Sequence, residues 1–354
     1  MTSTQAAPRR RKPWIVAVPL GLLLLFAAAW CGLWFYAAHR AEAEIEAWLK
    51  REARVGRTWG CAERSLAGFP FRFELVCRAP SLETQGGDPL KITAARAHAV
   101  AQVWAPNHIV AEFASPARVE DLASGRVYDA SWSLLQMSGV GDASGRPQRM
   151  SIVIEQPKLD LILAAGAAPT PGFSASHLEV HARRTPATGT GRDGVDFAAG
   201  VRGAESTTLA AAGAPGPLDM KVQGNVSAAD DMRPMPVRDR LRAWAEAGGT
   251  FRLDTFEVTT PKAALSASGT LSVDPQGRLN GAVNLGFAGV EEILKNLSRS
   301  GVIAPEIAPI VGALALAGKS GDVAGRKGST FAITFRQGVL QLGKFPVGIV
   351  PPLF

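Results

Sequence analysis

The amino-acid sequence predicts a mainly β protein with a minor α+β component. One N-terminal transmembrane helix leads into a long curved, mostly antiparallel β-sheet, a groove or half-barrel, with a few amphipathic helices. Three observations lead there. Residues 14–38 carry no formal charge. Beyond residue 57, apolar and polar side chains alternate in short runs, the period of a strand with one wet face. Turn formers punctuate those runs, among 37 Gly and 24 Pro in 354 residues.

The charge distribution locates the helix. Arg9, Arg10, Arg11 and Lys12 give residues 1–38 a charge of +4 out of a total of +7, with no acid among them. The remainder is nearly balanced, which excludes the clustered basic stripe that nucleic acid requires. Residues 1–13 therefore read as a basic cytoplasmic tail and residues 14–38 as a transmembrane anchor, oriented by the positive-inside rule. As a helix the anchor spans about 37 Å against a hydrocarbon core of about 30 Å. Trp14 at one end, with Trp30, Trp34 and Tyr36 near the other, fits interfacial aromatics. The alternative is a cleaved signal peptide ending at Ala27-Ala28-Ala29, although the apolar run continues past it. Either way the body of the protein is exported, to the periplasm if the cell has two membranes.

Residues 39–56 form a helical stalk, with Ile45, Trp48 and Leu49 on one face and a stop near Gly56. Residues 57–354 are then one exported β-rich domain. The clearest alternations place Phe69, Phe71, Phe73 and Leu75 on one side of a strand. Leu265 and Leu271, then Leu279, Val283 and Leu285, then Phe331, Ile333 and Phe335 repeat the pattern. These twelve are the candidate groove-lining residues. Helical spacing returns at residues 237–247, 290–300 and 305–316. Stretches 164–171 and 185–194 resemble linkers, but similar runs on both sides of each indicate one continuous sheet.

Most motif-like strings fail on context. Gly189-Thr190-Gly191-Arg192-Asp193-Gly194 has a dinucleotide-fingerprint spelling but is followed by a strand-like run, so it reads as a hairpin loop. Gly318-Lys319-Ser320 lacks the earlier glycine of a phosphate loop. His177 and His181 share a polar strand face with Glu179 and Arg183 and have no third metal ligand nearby. No nucleophile elbow, metalloprotease helix or acidic cluster occurs, so no catalytic residue, metal ligand or cofactor is assigned and no enzyme is expected. Cys61 and Cys77 lie on the exported side, sixteen residues apart, while Cys31 lies in the anchor. A structural disulfide between them is the favoured expectation, two unpaired buried thiols the alternative.

The segment Cys61, Gly68-Phe69-Pro70-Phe71-Arg72-Phe73, Cys77 and Pro80-Ser81-Leu82 resembles the start of a bacterial envelope family called domain of unknown function 2125. Gly248-Gly249-Thr250-Phe251, Gly277-Arg278-Leu279-Asn280-Gly281 and the closing Phe335-Arg336-Gln337-Gly338-Val339 resemble its far end. The strand rhythm is more distantly similar to AsmA-like proteins. That resemblance implies an anchored β-groove that guides phospholipid through the envelope, though this chain is shorter than members that cross the periplasm. The expected partners are the inner membrane through one helix, a lipid ligand and other envelope proteins, and no nucleic acid. Three functions compete: a lipid-binding groove, an envelope assembly scaffold without lipid, and an envelope hydrolase.

Overall fold

The computed structural model describes residues 14–87, 89–163, 168–186, 192–211, 216–229, 235–289 and 318–354. The expected helices at 290–300 and 305–316 and the basic tail lie outside the described residues. The first helix, α1 (Trp14–Arg54), runs unbroken through both the uncharged segment and the stalk. Val55 and Gly56 close it and reverse the chain; Gly56 takes a left-handed φ of 79°. Its last turns lie along the first strand. Glu52 accepts two hydrogen bonds from Arg57, the nearer at 2.6 Å, Glu46 pairs with Arg64, and the rings of Trp48 and Trp59 lie 5.5 Å apart.

Next come strands bent in the middle, each made of two pieces in line. They are β1 (Arg57–Gly60) with β2 (Glu63–Ala67), β3 (Arg72–Arg78) with β4 (Ser81–Thr84), and β5 (Leu90–Ala94) with β6 (Arg96–Gln102). Then follow β7 (Ala105–Phe113) with β8 (Ala117–Asp121), β9 (Val127–Ser131) with β10 (Leu134–Gly141), and β11 (Pro147–Glu155) with β12 (Lys158–Ile162). The series ends with β13 (Thr170–Ser174) and β14 (His177–Thr185), then the long β15 (Gly194–Ser206). Because every second piece pairs with its equivalent in the neighbouring strand, two antiparallel ladders result. The short arm runs β1–β4–β5–β8–β9–β12–β13 and meets the end of β15. The long arm runs β2–β3–β6–β7–β10–β11–β14–β15.

The crease between the arms is a feature of the backbone. Ala79 and Gln156 adopt left-handed φ values of 47° and 52°, each directly before a proline, and Gly203 does the same at 59°. Hydrogen bonds cross the bend without a break: Ala79 N–H donates to Ala95, Ala114 to Arg96, Ser133 to Glu155 and Ser176 to Arg202, all at 2.9–3.0 Å. A proline removes one ladder donor, so Pro80 and Pro157 lower the cost of bending at these positions while the neighbouring bonds keep the strands paired. On the inner side of the crease Ala175, Val201 and Ala204 are buried, with Phe173, Leu218 and Met220 packed against them. Phe173 belongs to the short arm and Met220 to the long one, so the two apolar faces meet there.

After β15 the short helix α2 (Thr207–Ala211) leads into unbent strands that extend the long arm. These are β16 (Leu218–Val226), β17 (Thr250–Thr259), β18 (Ala264–Val273) and β19 (Leu279–Ala288), with helix α3 (Val237–Glu246) between the first two. The sequence-predicted helix at 237–247 is thus present. The terminal strands are β20 (Lys319–Val323), β21 (Arg326–Arg336), β22 (Val339–Leu342) and β23 (Phe345–Ile349). β21 pairs with β19, and its far edge carries β20 at one end and β22 at the other. Among the described residues no pairing joins this end to the first strands, so the sheet is unclosed. The linker-like stretches are hairpin connections inside it: Leu159 pairs with Phe173, and Thr185 with Gly194.

Three hairpins are closed by the same Asp-to-Gly-Arg chemistry. Asp142 and Asp274 each accept backbone bonds from residues two and four positions on, and Asp121 from two and three, with Gly145, Gly277 and Gly125 at positive φ. Cys61 and Cys77 are bonded, with their Cα atoms 5.7 Å apart, while Cys31 is free. The disulfide joins the first crease to the second strand. Replacing both by Ser is expected to lower stability by about 3 kcal/mol in the loop-entropy account, read by denaturant unfolding of the full chain in detergent. Gly281 holds φ 127° against the carbonyl of Thr270 in the neighbouring strand. Gly281→Ala is expected to cost about 1–3 kcal/mol in the same assay.

Candidate functional site

Directly paired residues of an antiparallel ladder project from the same face. That rule sorts the whole long arm. From β3 the apolar face passes through Phe73, Ala101 and Ile109, then Leu75, Ala99, Ala111, Met137, Ile152, Val180, Ala199, Val222, Phe256, Ala267, Leu285 and Phe331 in unbroken register. Ten of the twelve candidate groove residues lie on it: Phe73, Leu75, Leu265, Leu271, Leu279, Val283, Leu285, Phe331, Ile333 and Phe335. The other two do not. Phe69 and Phe71 sit in the β2–β3 turn before the strand begins at Arg72. There the Gly68 carbonyl accepts from both Phe71 and Arg72, and Pro70 has no N–H to pair.

The short arm is sorted in the same way. Trp59, Leu82, Ile92, Val119, Tyr128 and Leu161 form one paired row, with Leu159 and Phe173 alongside. The sequence did not single out a second arm, and the linker-like stretch 164–171 overlaps the start of β13. The alternation of these segments was the available signal for a second apolar arm. Together the arms make a creased trough whose interior is apolar.

Few of these side chains are sealed from solvent. In a two-layer sandwich both inner faces would be buried. Here, among the described residues, Val201 and Val273 are buried on the apolar face of the long arm, whereas most of the face is half-buried. Ile109, Met150 and Val180 remain 42–49% exposed. Apart from α1, whose Trp34 stacks on Phe73 at its first row, and the short arm at the crease, no described helix lies across it.

The opposite face is largely polar, with an apolar cluster of Ala264, Ala288 and Val323 at its far end. His98 donates to Glu74 at 2.7 Å, Gln136 to Glu112 at 2.8 Å and His177 to Glu155 at 2.8 Å. Glu179 lies 3.2 Å from His181 and 3.5 Å from His177, and His181 shares a hydrogen bond with Ser151. The hydrogen bond from His181, then that from His177, holds the Glu179 carboxyl below its ordinary range. Arg183 at 2.6 Å, then Asn225 at 2.7 Å, does the same for Asp196. The His177–His181 pair is thus occupied by carboxylates and a hydroxyl. Among the described residues no three His, Cys, Asp or Glu side chains form a group suited to a metal ion. Two hollows of the polar face are lined by charges of both signs, including Glu179, Lys221 and Glu257 in one and Arg183, Asp196 and Asp254 in the other.

The phosphate-loop and dinucleotide spellings stay without context. Lys319 and Ser320 open a strand, and so does Gly194. Three of the four tryptophans outside α1 are fixed by indole hydrogen bonds: Trp59 to Glu52, Trp132 to the Phe113 carbonyl and Trp244 to the Ser227 carbonyl. Trp104, in the β6–β7 turn, is 67% exposed.

A family model described as "Uncharacterized protein conserved in bacteria (DUF2125)" matches residues 34–351. The chain belongs to DUF2125. The match starts within α1 and takes in both arms of the sheet and the terminal strands. No curated protein matches the chain, and no solved structure does. By length and composition α1 of this DUF2125 protein is a candidate membrane span, with a mean hydropathy of 2.0 over its most apolar window.

Because its folded pKa is depressed, ionised Asp196 adds stability above the ordinary aspartate range. That contribution is lost as pH falls through the lower folded value. Asp196→Asn is expected to lose up to ~1 kcal/mol at neutral pH, since Arg183 is largely exposed. The gap to the native chain closes as pH falls below the ordinary aspartate range and through that lower folded value, as paired denaturation curves would record.

Proposed function

We propose that this protein is a membrane-anchored envelope protein whose creased sheet holds lipid acyl chains along its apolar face. The observation that carries the reading is the unbroken apolar register of the long arm, which no described helix covers beyond its first row. Exposed apolar surface on this scale calls for a ligand, a second layer or a membrane. Each Val, Leu, Ile or Phe gains roughly 1.5–3 kcal/mol on full burial, so even partial cover by an acyl chain is favourable across many such residues.

The remaining features are consistent with that assignment. The basic tail before the anchor supports a cytoplasmic N-terminus and a periplasmic sheet. The Cys61–Cys77 bond belongs in an oxidising compartment. Thirteen strands of the long arm at about 4.8 Å spacing extend ~60 Å, twice a ~30 Å hydrocarbon core. Such a trough takes several lipids in file. This is the behaviour implied by the distant similarity to AsmA-like proteins, for a chain that reaches only part of the way. The reading includes no reaction, cofactor or nucleic acid.

A second reading, an envelope assembly scaffold, draws on a different observation. The last strand leaves Phe345, Val347 and Ile349 exposed beside an open sheet edge, the kind of surface that accepts a strand from another protein.

A photoreactive phenylalanine analogue incorporated in cells separates the two. At Val283, on the apolar face, it is expected to capture phospholipid, detected by mass spectrometry of the full chain. At Asn284, on the opposite face, it captures none. Equal labelling at both positions, or none at either, removes the lipid reading. A protein adduct from Val347 with no lipid adduct from Val283 favours the scaffold.

A further inference from the structure

We infer that the β2–β3 and β6–β7 hairpin tips enter the lipid interface beside α1 and dock the anchored end of the trough on the membrane. The inference rests on the proposed reading of α1 as a span. A hydrocarbon core of about 30 Å takes about 20 helical residues, so a span starting at Trp14 leaves the core near Leu33. The β2–β3 turn is bonded to the helix at that depth. Trp30 donates its indole N–H to the Pro70 carbonyl at 3.0 Å, and Trp34 donates to Arg72 at 3.2 Å. Phe69 fills the angle between Trp34 and Phe35, with ring centroids 5.5 and 5.9 Å away. Hence the turn is level with the boundary of the hydrocarbon and cannot slide away from it without breaking these contacts.

The neighbouring tip is tied to the same place, since Val103 donates to the Phe71 carbonyl at 3.1 Å. What the two tips present outward is aromatic: Phe71 is 60% and Trp104 67% exposed. Large exposed aromatics on tight turns are unfavourable in water and favoured at a membrane interface. Helix and tips thus form one continuous apolar surface, which commits the occupant to a lipid surface. A consequence concerns the trough. Trp34, only 5% exposed, stacks on Phe73 with centroids 5.7 Å apart, and Phe73 begins the apolar face. The trough therefore opens at the bilayer surface.

The test uses the full chain in phosphatidylethanolamine–phosphatidylglycerol vesicles, with tryptophan emission compared between the native protein and Trp104→Phe. The expected difference spectrum is blue-shifted, quenched by lipid brominated near the headgroup and shielded from aqueous acrylamide. Phe71→Trp in the Trp104→Phe background is expected to behave alike. Emission quenched by acrylamide and untouched by bromolipid at both positions overturns the docking. In that case lipid capture at Val283 still decides the trough reading by itself. A chain that fails to float with the vesicles overturns both the docking and the anchor.

Discussion

Everything in this molecule depends on keeping a two-residue period in phase from strand to strand. In an antiparallel ladder a one-residue slip sends every side chain of a strand to the other face. Here Leu75 and Phe331 share a face although eleven strand pairings separate them. Register is held locally. Aspartate turns fix the hairpins at Asp121, Asp142 and Asp274, and the Cys61–Cys77 bond fixes the first pair of strands. Where the phase does shift, a bulge absorbs it. Between Leu253 and Phe256 the partner strand advances two residues while β17 advances three. The extra residue leaves both Leu253 and Phe256 on the apolar face.

The crease is the second constraint, and it explains why a small set of side chains is buried. Folding the ladder along a line brings the two apolar faces together only at the apex. There Ala175 and Ala204 permit close approach, and Phe173 and Met220 pack against the same buried cluster. Away from the apex the faces diverge. Stability then comes from cross-strand pairs and a continuous hydrogen-bond ladder more than from a shared core. Such a sheet extends by adding strands without needing a new core for each.

Much of this was legible because period-two alternation is a local signal. Phe73, Leu75, Val283 and Ile333 announce their face within a few residues, and His177 and His181 announce theirs. The anchor was equally legible from uncharged length. The crease was not, because it depends on which piece of each strand pairs with which neighbour. Its traces in the sequence are the prolines at 80 and 157, which interrupt otherwise alternating runs and follow residues in the left-handed region. Phe69 and Phe71 continue the alternation of β3 on paper, yet the Gly68–Pro70 turn removes them from the ladder. Periodicity alone cannot see where a strand begins. The tryptophans of α1 looked like interfacial residues only; that two of them also clamp a hairpin forty residues away is a tertiary fact.

The size of the side chains along the apolar face gives the trough a direction. Near the anchor the face mixes small and large side chains: Ala97, Ala99, Ala101, Ala111, Gly139 and Ala182 share it with Phe73, Leu75, Ile109, Met137, Ile152 and Val180. Toward the far end it fills with Phe251, Phe256, Phe287, Phe331 and Phe335. Stacked rings at Phe197 and Phe251, centroids 5.9 Å apart, mark the change. Small residues leave space above the sheet; large ones occupy it with their own atoms, so less free energy remains for a ligand to gain. The proposed lipid reading therefore expects an acyl chain to sit closer to the sheet beside these alanines, next to the helix, than among the phenylalanines.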